Sequence, residues 1–121
     1  MELILTSVSD DLAAAWRRFC AGYPMVQFHD GSILDVSCDA IVSPANSFGF
    51  MDGGVDALYS KRFGANLQER VQGVIADLHG GELLVGSAEI VETEDAAIPH
   101  LIVAPTMRVP MILRDSVNPY L

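Results

Sequence analysis

The sequence predicts an α/β fold in which a buried strand leads through a polar loop into a helix. The run from Ala40 to Val42 is short and apolar, which is typical of a strand inside a sheet. Pro44 ends that run, and Gly53-Gly54 open a stretch with helical spacing. In open α/β sheets, ligands collect in loops at the carboxyl ends of strands. This loop is therefore the first candidate site.

Composition limits the size of the protein and the kinds of partner it can have. The 121 residues predict one domain, 1–121, that can bury a core but is small for an α/β architecture. Sixteen acidic against seven basic residues give a net charge of −9, which opposes binding to nucleic acid or to an anionic membrane. A phosphate-bearing ligand would have to be held by backbone dipoles.

The two cysteines and the N-terminal residues predict the cellular location. Cys20 and Cys38 are too few for a disulfide scaffold or a four-ligand zinc site. They predict reduced thiols in a cytoplasmic protein without a metal or another cofactor. The N-terminus lacks a basic region followed by an apolar block, and no run approaches the ~20 apolar residues that a membrane span needs. Secretion and membrane insertion are not expected.

The first third of the chain predicts a strand, a helix and a second strand. Glu2 to Val8 alternates as a half-buried strand, and Ser9 is a suitable N-cap for a helix that ends at Gly22. The apolar positions of that helix are predicted to be Leu12, Trp16 and Phe19 or Cys20. Met25 to His29 predicts a second strand, and Asp30-Gly31-Ser32 predicts a turn.

The rest of the chain predicts three more strands and two helices. Asp39 to Val42 is expected to be the most buried strand because it is short and does not alternate. Residues 55–63 and 67–78 predict two helices from their apolar spacing, and Tyr59 is expected to pack in the core. The last two predicted strands are Gly86 to Thr93 and Ile98 to Pro105.

The polar loop holds the residues whose chemistry suggests a site. Asn46 lies four residues beyond the strand, and Asp56 follows it at a spacing of ten. An amide can donate to and accept from a pair of sugar hydroxyls, and a nearby carboxylate can orient or deprotonate a water molecule. Turn chemistry at Asn46 and Asp52 accounts for the same residues equally well. The residue types alone leave both interpretations open.

The sequence resembles the macro domain family in three ordered stretches. The first is Asp39-Ala40-Ile41-Val42-Ser43-Pro44-Ala45-Asn46 followed by Gly53-Gly54-Val55-Asp56, against the family pattern Asp-Ala-Ile-Val-Asn-Ala-Ala-Asn and Gly-Gly-Gly-Gly-Val-Asp. The second, Asp30-Gly31-Ser32-Ile33, resembles the Gly-Asp-Ile turn of the family, and the third, His100 to Pro105, resembles its His-Val-Val-Gly-Pro strand. Residues 104–110 also resemble a bacterial and phage-associated subgroup.

The resemblance implies a fold and a ligand. Macro domains have a three-layer α/β/α fold with a mixed sheet, and they bind ADP-ribose across the carboxyl ends of the central strands. By this resemblance Asn46 contacts the distal ribose, and Asp56 falls where hydrolytic members keep the carboxylate that positions or activates water. These two are the predicted catalytic residues. The predicted ligand-binding residues are Ser32, Ile33, Ala45, Asn46, Gly53, Gly54 and Val55, of which Gly53, Gly54 and Val55 offer backbone donors to the pyrophosphate.

Three departures from the family pattern bear on the ligand. Ser32 replaces the aspartate that reads the adenine amino group in many members, although Asp30 could reach the same edge. Ser43-Pro44 replaces Asn-Ala, which removes one side-chain amide and stiffens the turn. Asp52 stands in the Gly-rich run, where its charge would repel a diphosphate unless it points outward. Arg108 is an equally good candidate for a surface ion pair and for a ligand contact.

The resemblance ends before the last helices, the last strand and the second Gly-rich loop of the family, so a C-terminally truncated domain is expected. The apolar segment 107–113 would then lie uncovered, which predicts burial against a second copy or against a missing C-terminal piece. The expected partner is ADP-ribose or an ADP-ribosylated protein. The predicted functions are binding of ADP-ribose with hydrolysis of ADP-ribosyl proteins or O-acetyl-ADP-ribose, or alternatively a non-catalytic binding module or a structural, oligomerising piece.

Overall fold

The chain alternates strands and helices, as the α/β prediction requires. The computed structural model describes residues 1–109. Residues 110–113 of the predicted uncovered apolar segment, 107–113, lie outside this range. The chain forms two compact units, Met1–Ser37 and a second unit that begins at Cys38. Each unit has its own small sheet, so the strands fall into two sheets where one mixed sheet is expected from the resemblance.

The first unit is a strand-helix-strand motif. It consists of β1 (Leu3–Ser7), α1 (Asp10–Cys20) and β2 (Val26–Asp30). The two strands are parallel, with Leu3 opposite Val26 and Ser7 opposite Asp30. Parallel neighbours need a crossover connection, which α1 provides. The predicted strand and helix boundaries are confirmed to within about two residues, which is the usual disagreement at element ends.

Helix α1 is capped as the sequence predicts, but its apolar stripe is covered only along its centre. The Ser9 side chain accepts a hydrogen bond from the Leu12 N–H at 3.4 Å. Ala13 is buried and Trp16 is half-buried, whereas Leu12 and Phe19 are exposed, so the predicted stripe is wrong at its edges. Neighbouring strands lie about 5 Å apart, so a two-stranded sheet supports only a narrow strip of a helix surface.

The second unit carries a mixed three-stranded sheet and two helices. Its elements are β3 (Ala40–Ser43), α2 (Gly54–Phe63), α3 (Asn66–His79), β4 (Glu89–Glu92) and β5 (His100–Val103). The strand order is β3-β5-β4, with β3 parallel and β4 antiparallel to the central β5. Strands β4 and β5 are shorter than predicted. The prolines near the ends of the second predicted run, Pro99 and Pro105, supply no N–H to a ladder.

The core of the second unit lies on one face of this sheet. Ile41, Val91 and Leu101 are buried there, and α3 packs against β4 and α2. Further buried apolar side chains are Tyr59, Leu67, Val71, Ile75, Leu83, Ile98 and Val103. The predicted core position of Tyr59 is therefore confirmed.

Strand β3 is not buried on both faces, which corrects the sequence prediction. Ile41 and Ser43 are buried, but Val42 between them is 47% exposed. Val42 lies opposite Ile102, which lies opposite the exposed Ile90, so the three form an apolar row across the sheet. The run from Ala40 to Val42 is apolar throughout because Val42 lies on the sheet face that residues 1–109 leave uncovered. Val109, in the predicted uncovered segment, is also exposed.

The C-terminal end of α3 follows from local chemistry. Gly80 caps the helix in the left-handed region at φ 65°, and its N–H donates to the Ile75 carbonyl.

Among residues 1–109, no helix has the length and apolar character needed to cross a membrane. The same residues contain no cluster of three or more His, Cys, Asp or Glu side chains that could hold a metal ion.

Candidate ligand-binding site

A cavity of about 510 Å³ lies in the second unit, at the carboxyl end of β3. Its volume falls within the ~300–1,000 Å³ typical of small-molecule sites. It brings together six of the predicted site residues. The residues that line it are Pro44, Ala45, Asn46, Phe50, Asp52, Gly53, Gly54, Val55, Asp56 and Met107.

The loop that follows β3 is fixed by continued pairing with the segment that follows β5. The Ala104 N–H donates to the Ser43 carbonyl at 3.0 Å, and the Thr106 N–H donates to the Ala45 carbonyl at 2.9 Å. Asn46 then forms a parallel bridge with Met107. The floor of the cavity is therefore an extension of the sheet, which holds it more rigidly than a free loop.

The side chain of Asn46 organises the next turn of the loop. Its Oδ1 accepts hydrogen bonds from the N–H groups of Phe48 at 3.1 Å and Phe50 at 3.2 Å. Its Nδ2 donates to the Phe50 carbonyl at 2.8 Å. The amide thus uses its acceptor and one N–H on the protein, and its second N–H has no partner among residues 1–109. The structure thus shows turn chemistry, one of the two interpretations that the sequence left open, and it places the same residue on the cavity wall, while a contact to a sugar stays a prediction.

Gly49 lets the loop approach α3 closely. Its φ is +72°, and a Cβ atom placed there would lie 3.0 Å from Val71 Cγ1 and 3.1 Å from Ile75 Cδ1. A larger residue would meet both the conformational cost of the left-handed region and these contacts. The glycine lies outside the predicted site, and its role is visible only in the packing.

Phe50 lines the cavity although the sequence did not point to it, and its buried neighbour Met51 fixes the backbone there. The Met51 N–H donates to Gln68 Oε1 at 2.7 Å, and Ser60 Oγ donates to the Met51 carbonyl at 2.7 Å. These bonds fix the backbone while the Phe50 side chain remains 47% exposed on the cavity wall. An aromatic residue between Asn46 and the Gly-Gly pair was the available signal. Met107 reaches the cavity through tertiary pairing, for which the sequence gives no local signal.

The beginning of α2 presents free backbone donors beside the cavity. Gly53 is the N-cap residue with φ −138°, and Gly54 follows at φ +57°. No side chain caps this helix, and its first intrahelical bond is from the Ala57 N–H to the Gly53 carbonyl at 3.2 Å. The N–H groups before Ala57 therefore lack helical partners. A Cβ on either glycine would meet no atom within 4 Å, so the space in front of them is open.

Asp56 lies in the first turn of α2 and is only 7% exposed. Ser43 Oγ, at the end of β3, donates a hydrogen bond to its Oδ1. Burial raises the pKa of the Asp56 carboxyl above its ordinary value, and the bond from Ser43 opposes that rise. Burial, with the nearby Asp56 charge, also raises the pKa of Tyr59, whose O–H donates to the Val42 carbonyl at 2.9 Å.

The side chains that line the cavity carry negative and no positive charge among the residues described. Asp52 and Asp56 line it, and neither Lys nor Arg does. Arg108, beside the lining residue Met107, pairs instead with Glu82 at 2.7 Å and lies over the Phe48 ring at 5.2 Å. Of the two predicted roles of Arg108, a surface ion pair and a ligand contact, the structure shows the ion pair. An anion in this cavity would depend on the backbone donors of α2.

Ser32 and Ile33 lie in the first unit. Ser32 caps a 3-10 turn, Ile33–Asp35, where its Oγ accepts from the Leu34 N–H at 3.2 Å. Asp30, the suggested substitute for an adenine-reading aspartate, accepts two hydrogen bonds from Arg17 at 2.8 and 2.9 Å. The hydrogen bond from Arg17 lowers the pKa of Asp30. Its carboxylate is thus committed to a partner within its own unit.

Solved structures with a similar fold are macrodomains. A mutant macrodomain of Oceanobacillus iheyensis, determined with ADPR, matches 64% of this chain and 42% of its own with a TM-score of 0.58 and 24% identity. The macrodomain of Mycobacterium tuberculosis DarG matches 70% of this chain and 54% of its own, with a TM-score of 0.60 and 22% identity. At these identities the likeness concerns the fold, and it supports the macro-domain-like α/β class predicted from the sequence.

Sequence comparison points the same way. An uncharacterized protein of Aquifex aeolicus is 40% identical over 80 residues, which is 66% of this chain and 45% of that protein. The chain thus spans about half the length of these relatives. The Macro domain family profile matches residues 42–116, which include the last two residues of β3, the Asn46 loop, the Gly-Gly helix start and β5. On this match the chain belongs to the macro domain family.

Proposed function

We propose that this chain binds ADP-ribose in the cavity at the end of β3. The observation that carries the proposal is the uncapped start of α2 beside an open glycine pair. The four N–H groups from Gly53 to Asp56 lack helical partners, and among the residues described no lysine or arginine lines the cavity in front of them. A diphosphate is an anion that such a helix start can bind through its dipole and its donors. The related Oceanobacillus iheyensis macrodomain was determined with ADPR, which supports the choice of ligand.

The proposed orientation of the ligand follows the order of groups around the cavity. The pyrophosphate lies on the N–H groups of Gly53, Gly54 and Val55. The distal ribose lies beside Ala45 and the remaining N–H of the Asn46 amide. Contacts from Ser32 and Ile33 to the adenine end stay a prediction from the family resemblance. A cytoplasmic location, a homo-oligomer and the extent of the domain as residues 1–121 likewise stay predictions.

Calorimetric titration of ADP-ribose into the chain tests the binding proposal. We expect saturable heat at one ligand per chain, and its absence would refute the proposal. Gly54→Ala, at φ +57°, should weaken binding because a Cβ enters the space in front of the free N–H groups. Gly80→Ala is the matched control, since Gly80 has a similar φ of +65° at the other end of the unit's helical region but does not line the cavity. Equal losses of affinity in the two variants would indicate a general effect on folding.

Hydrolysis is a second candidate function, favoured by the position of Asp56. A buried carboxyl with a raised pKa on a cavity wall is a suitable general base. In the proposed step, Asp56 accepts a proton from a water molecule whose oxygen bonds to the anomeric carbon of the distal ribose. The bond from that carbon to the protein-linked oxygen breaks, and the leaving oxygen takes a proton from solvent. With O-acetyl-ADP-ribose, the same water would instead bond to the acetyl carbonyl carbon, the bond from that carbon to the ribose oxygen would break, and the ribose oxygen would take a proton from solvent as acetate leaves.

Release of ADP-ribose from an ADP-ribosylated protein, and of acetate from O-acetyl-ADP-ribose, tests this second function. Asp56→Asn keeps an acceptor for Ser43 and removes the base, so we expect binding to persist and turnover to fall by about 10²- to 10⁴-fold. A chain that binds ADP-ribose but turns over neither substrate is a binding module. Undiminished turnover by Asp56→Asn would show that another group activates the water.

A further inference from the structure

We propose that Ser43 is the positioning residue for Asp56, holding its carboxyl against the wall of the cavity and favouring its ionised form. The inference rests on the proposed role of Asp56 and adds a residue to it. Ser43 does not line the cavity, so it would act through Asp56 and not on a ligand.

The sheet fixes the position of Ser43. It is the last residue of β3, is 1% exposed and lies opposite Val103 in the parallel pair with β5. Its carbonyl accepts from the Ala104 N–H at 3.0 Å. Because the Ser43 backbone is bonded to the central strand β5, the main freedom left to the hydroxyl is rotation about the Cα–Cβ bond. That rotation is fixed by the bond to Asp56 Oδ1.

Asp56 arrives at the same point from a different element. It lies in the first turn of α2, where a negative charge is favourable beside the positive end of the helix dipole. Within residues 1–109, Ser43 is the hydrogen-bond partner of its side chain, through Oδ1, and Oδ2 has none. One carboxyl oxygen is thus held by the sheet while the other is available to a water molecule.

The bond has an electrostatic effect as well as a geometric one. A hydroxyl that donates to a carboxylate stabilises the charged form against the desolvation that burial imposes. Among residues 1–109, the other titratable groups near Asp56 do not supply a positive charge. Asp52, which lines the same cavity, carries a negative charge. Tyr59 lies one turn further along α2, and burial, together with Asp56 and Cys38, raises its pKa. Ser43 is therefore the group that offsets burial at this carboxyl.

Carbon-13 NMR titration of the Asp56 carboxyl tests the proposal without requiring turnover. We expect Ser43→Ala to move the titration midpoint of Asp56 to higher pH, because the ionised form loses its donor. Ser43→Cys, with a thiol that is a weak donor, should move it in the same direction by less. Ser47→Ala is the matched control, since Ser47 is equally buried at 1% exposure but has no bond to Asp56. We expect it to leave the midpoint in place.

A folded Ser43→Ala or Ser43→Cys variant with an unchanged Asp56 midpoint would overturn the proposal, as would an equal shift in Ser47→Ala. If the wild-type chain is a hydrolase, the acidic limb of its pH–rate profile should move to higher pH with the NMR midpoint. If the NMR midpoint shifts as expected but the wild-type chain shows no turnover, the Ser43–Asp56 proposal is supported and only the hydrolysis proposal is refuted. If the chain does not bind ADP-ribose, the binding proposal is refuted, and the NMR midpoint still tests the proposal about Ser43.

Discussion

The Asn46 side chain and the Phe50 backbone bond to each other in both directions. Nδ2 of Asn46 donates to the Phe50 carbonyl at 2.8 Å, and Oδ1 accepts from the Phe50 N–H at 3.2 Å. This pairing imitates a two-bond step of a β-ladder and fixes a five-residue turn on the cavity wall. The residue predicted to hold a sugar is thus also the residue that shapes the loop, and the two roles can be separated by experiment.

Asn46→Ala should lower both stability and affinity for ADP-ribose. It leaves the polar groups of Phe50 and the N–H of Phe48 without their partner, and because these groups are partly buried the cost should be at the lower end of the ~1–3 kcal/mol typical of a buried group. Asn46→Asp keeps both acceptor bonds, so it should recover part of the stability but not the affinity, because it lacks the donor and adds a charge. Urea unfolding and calorimetry give the two quantities. A loss of affinity in Asn46→Ala at unchanged stability would contradict the role in the loop.

Gly49→Ala should destabilise the protein by about 2–4 kcal/mol. The new Cβ must adopt a left-handed backbone conformation and lie 3.0 Å from Val71 Cγ1. Gly73→Ala, in the interior of α3 with no atom within 4 Å of its Cβ position, should instead stabilise the protein by roughly 0.5–1 kcal/mol. Unfolding free energies that change equally in the two variants would disprove the close approach of the loop to α3.

Asp52→Asn should tighten ADP-ribose binding. Asp52 is an exposed carboxylate on the cavity wall, and two unit charges about 4 Å apart in water interact by roughly 1 kcal/mol, or about fivefold in affinity. The gain should shrink as salt is added. Asp77→Asn on α3 changes the net charge by the same amount away from the cavity and serves as the control. A gain that persists in high salt would point to a contact other than charge repulsion.

The stability of the protein should depend on pH through Asp56. Because its folded-state pKa is raised by burial, the folded state holds this proton more tightly than the unfolded state. The resulting contribution to stability is fully present below the ordinary pKa of 3.8 and is lost as pH rises through the folded value. The Asp56→Asn variant cannot ionise at this position. Its unfolding free energy minus that of the wild type should therefore increase as pH rises from acid towards neutral. Parallel urea titrations across this range measure the difference, and a constant difference would contradict the assignment.

The local elements were predictable because their signals are local. Ser9 as a cap, Gly80 after an apolar periodic run and the strand-loop-helix order around Asn46 each depend on a few neighbouring residues. The long-range partners were not predictable in this way. Asn46 forms a β-bridge with Met107, and the Met51 N–H donates to the Gln68 side chain, across separations that no periodicity records. The exposure of Val42 was missed because a valine fits a covered and an uncovered face of a strand equally well in sequence.

The sequence by itself determined the family, the α/β class and six of the residues that line the cavity, because these depend on residue type and spacing along one short stretch. Only the tertiary structure decided that Ser43 holds Asp56, that Phe50 and Met107 complete the wall and that Arg108 is paired with Glu82. The physical reason is the range of the interactions. Caps and turns act over a few residues, whereas burial and the pKa of Asp56 depend on groups that the fold brings together from distant parts of the chain.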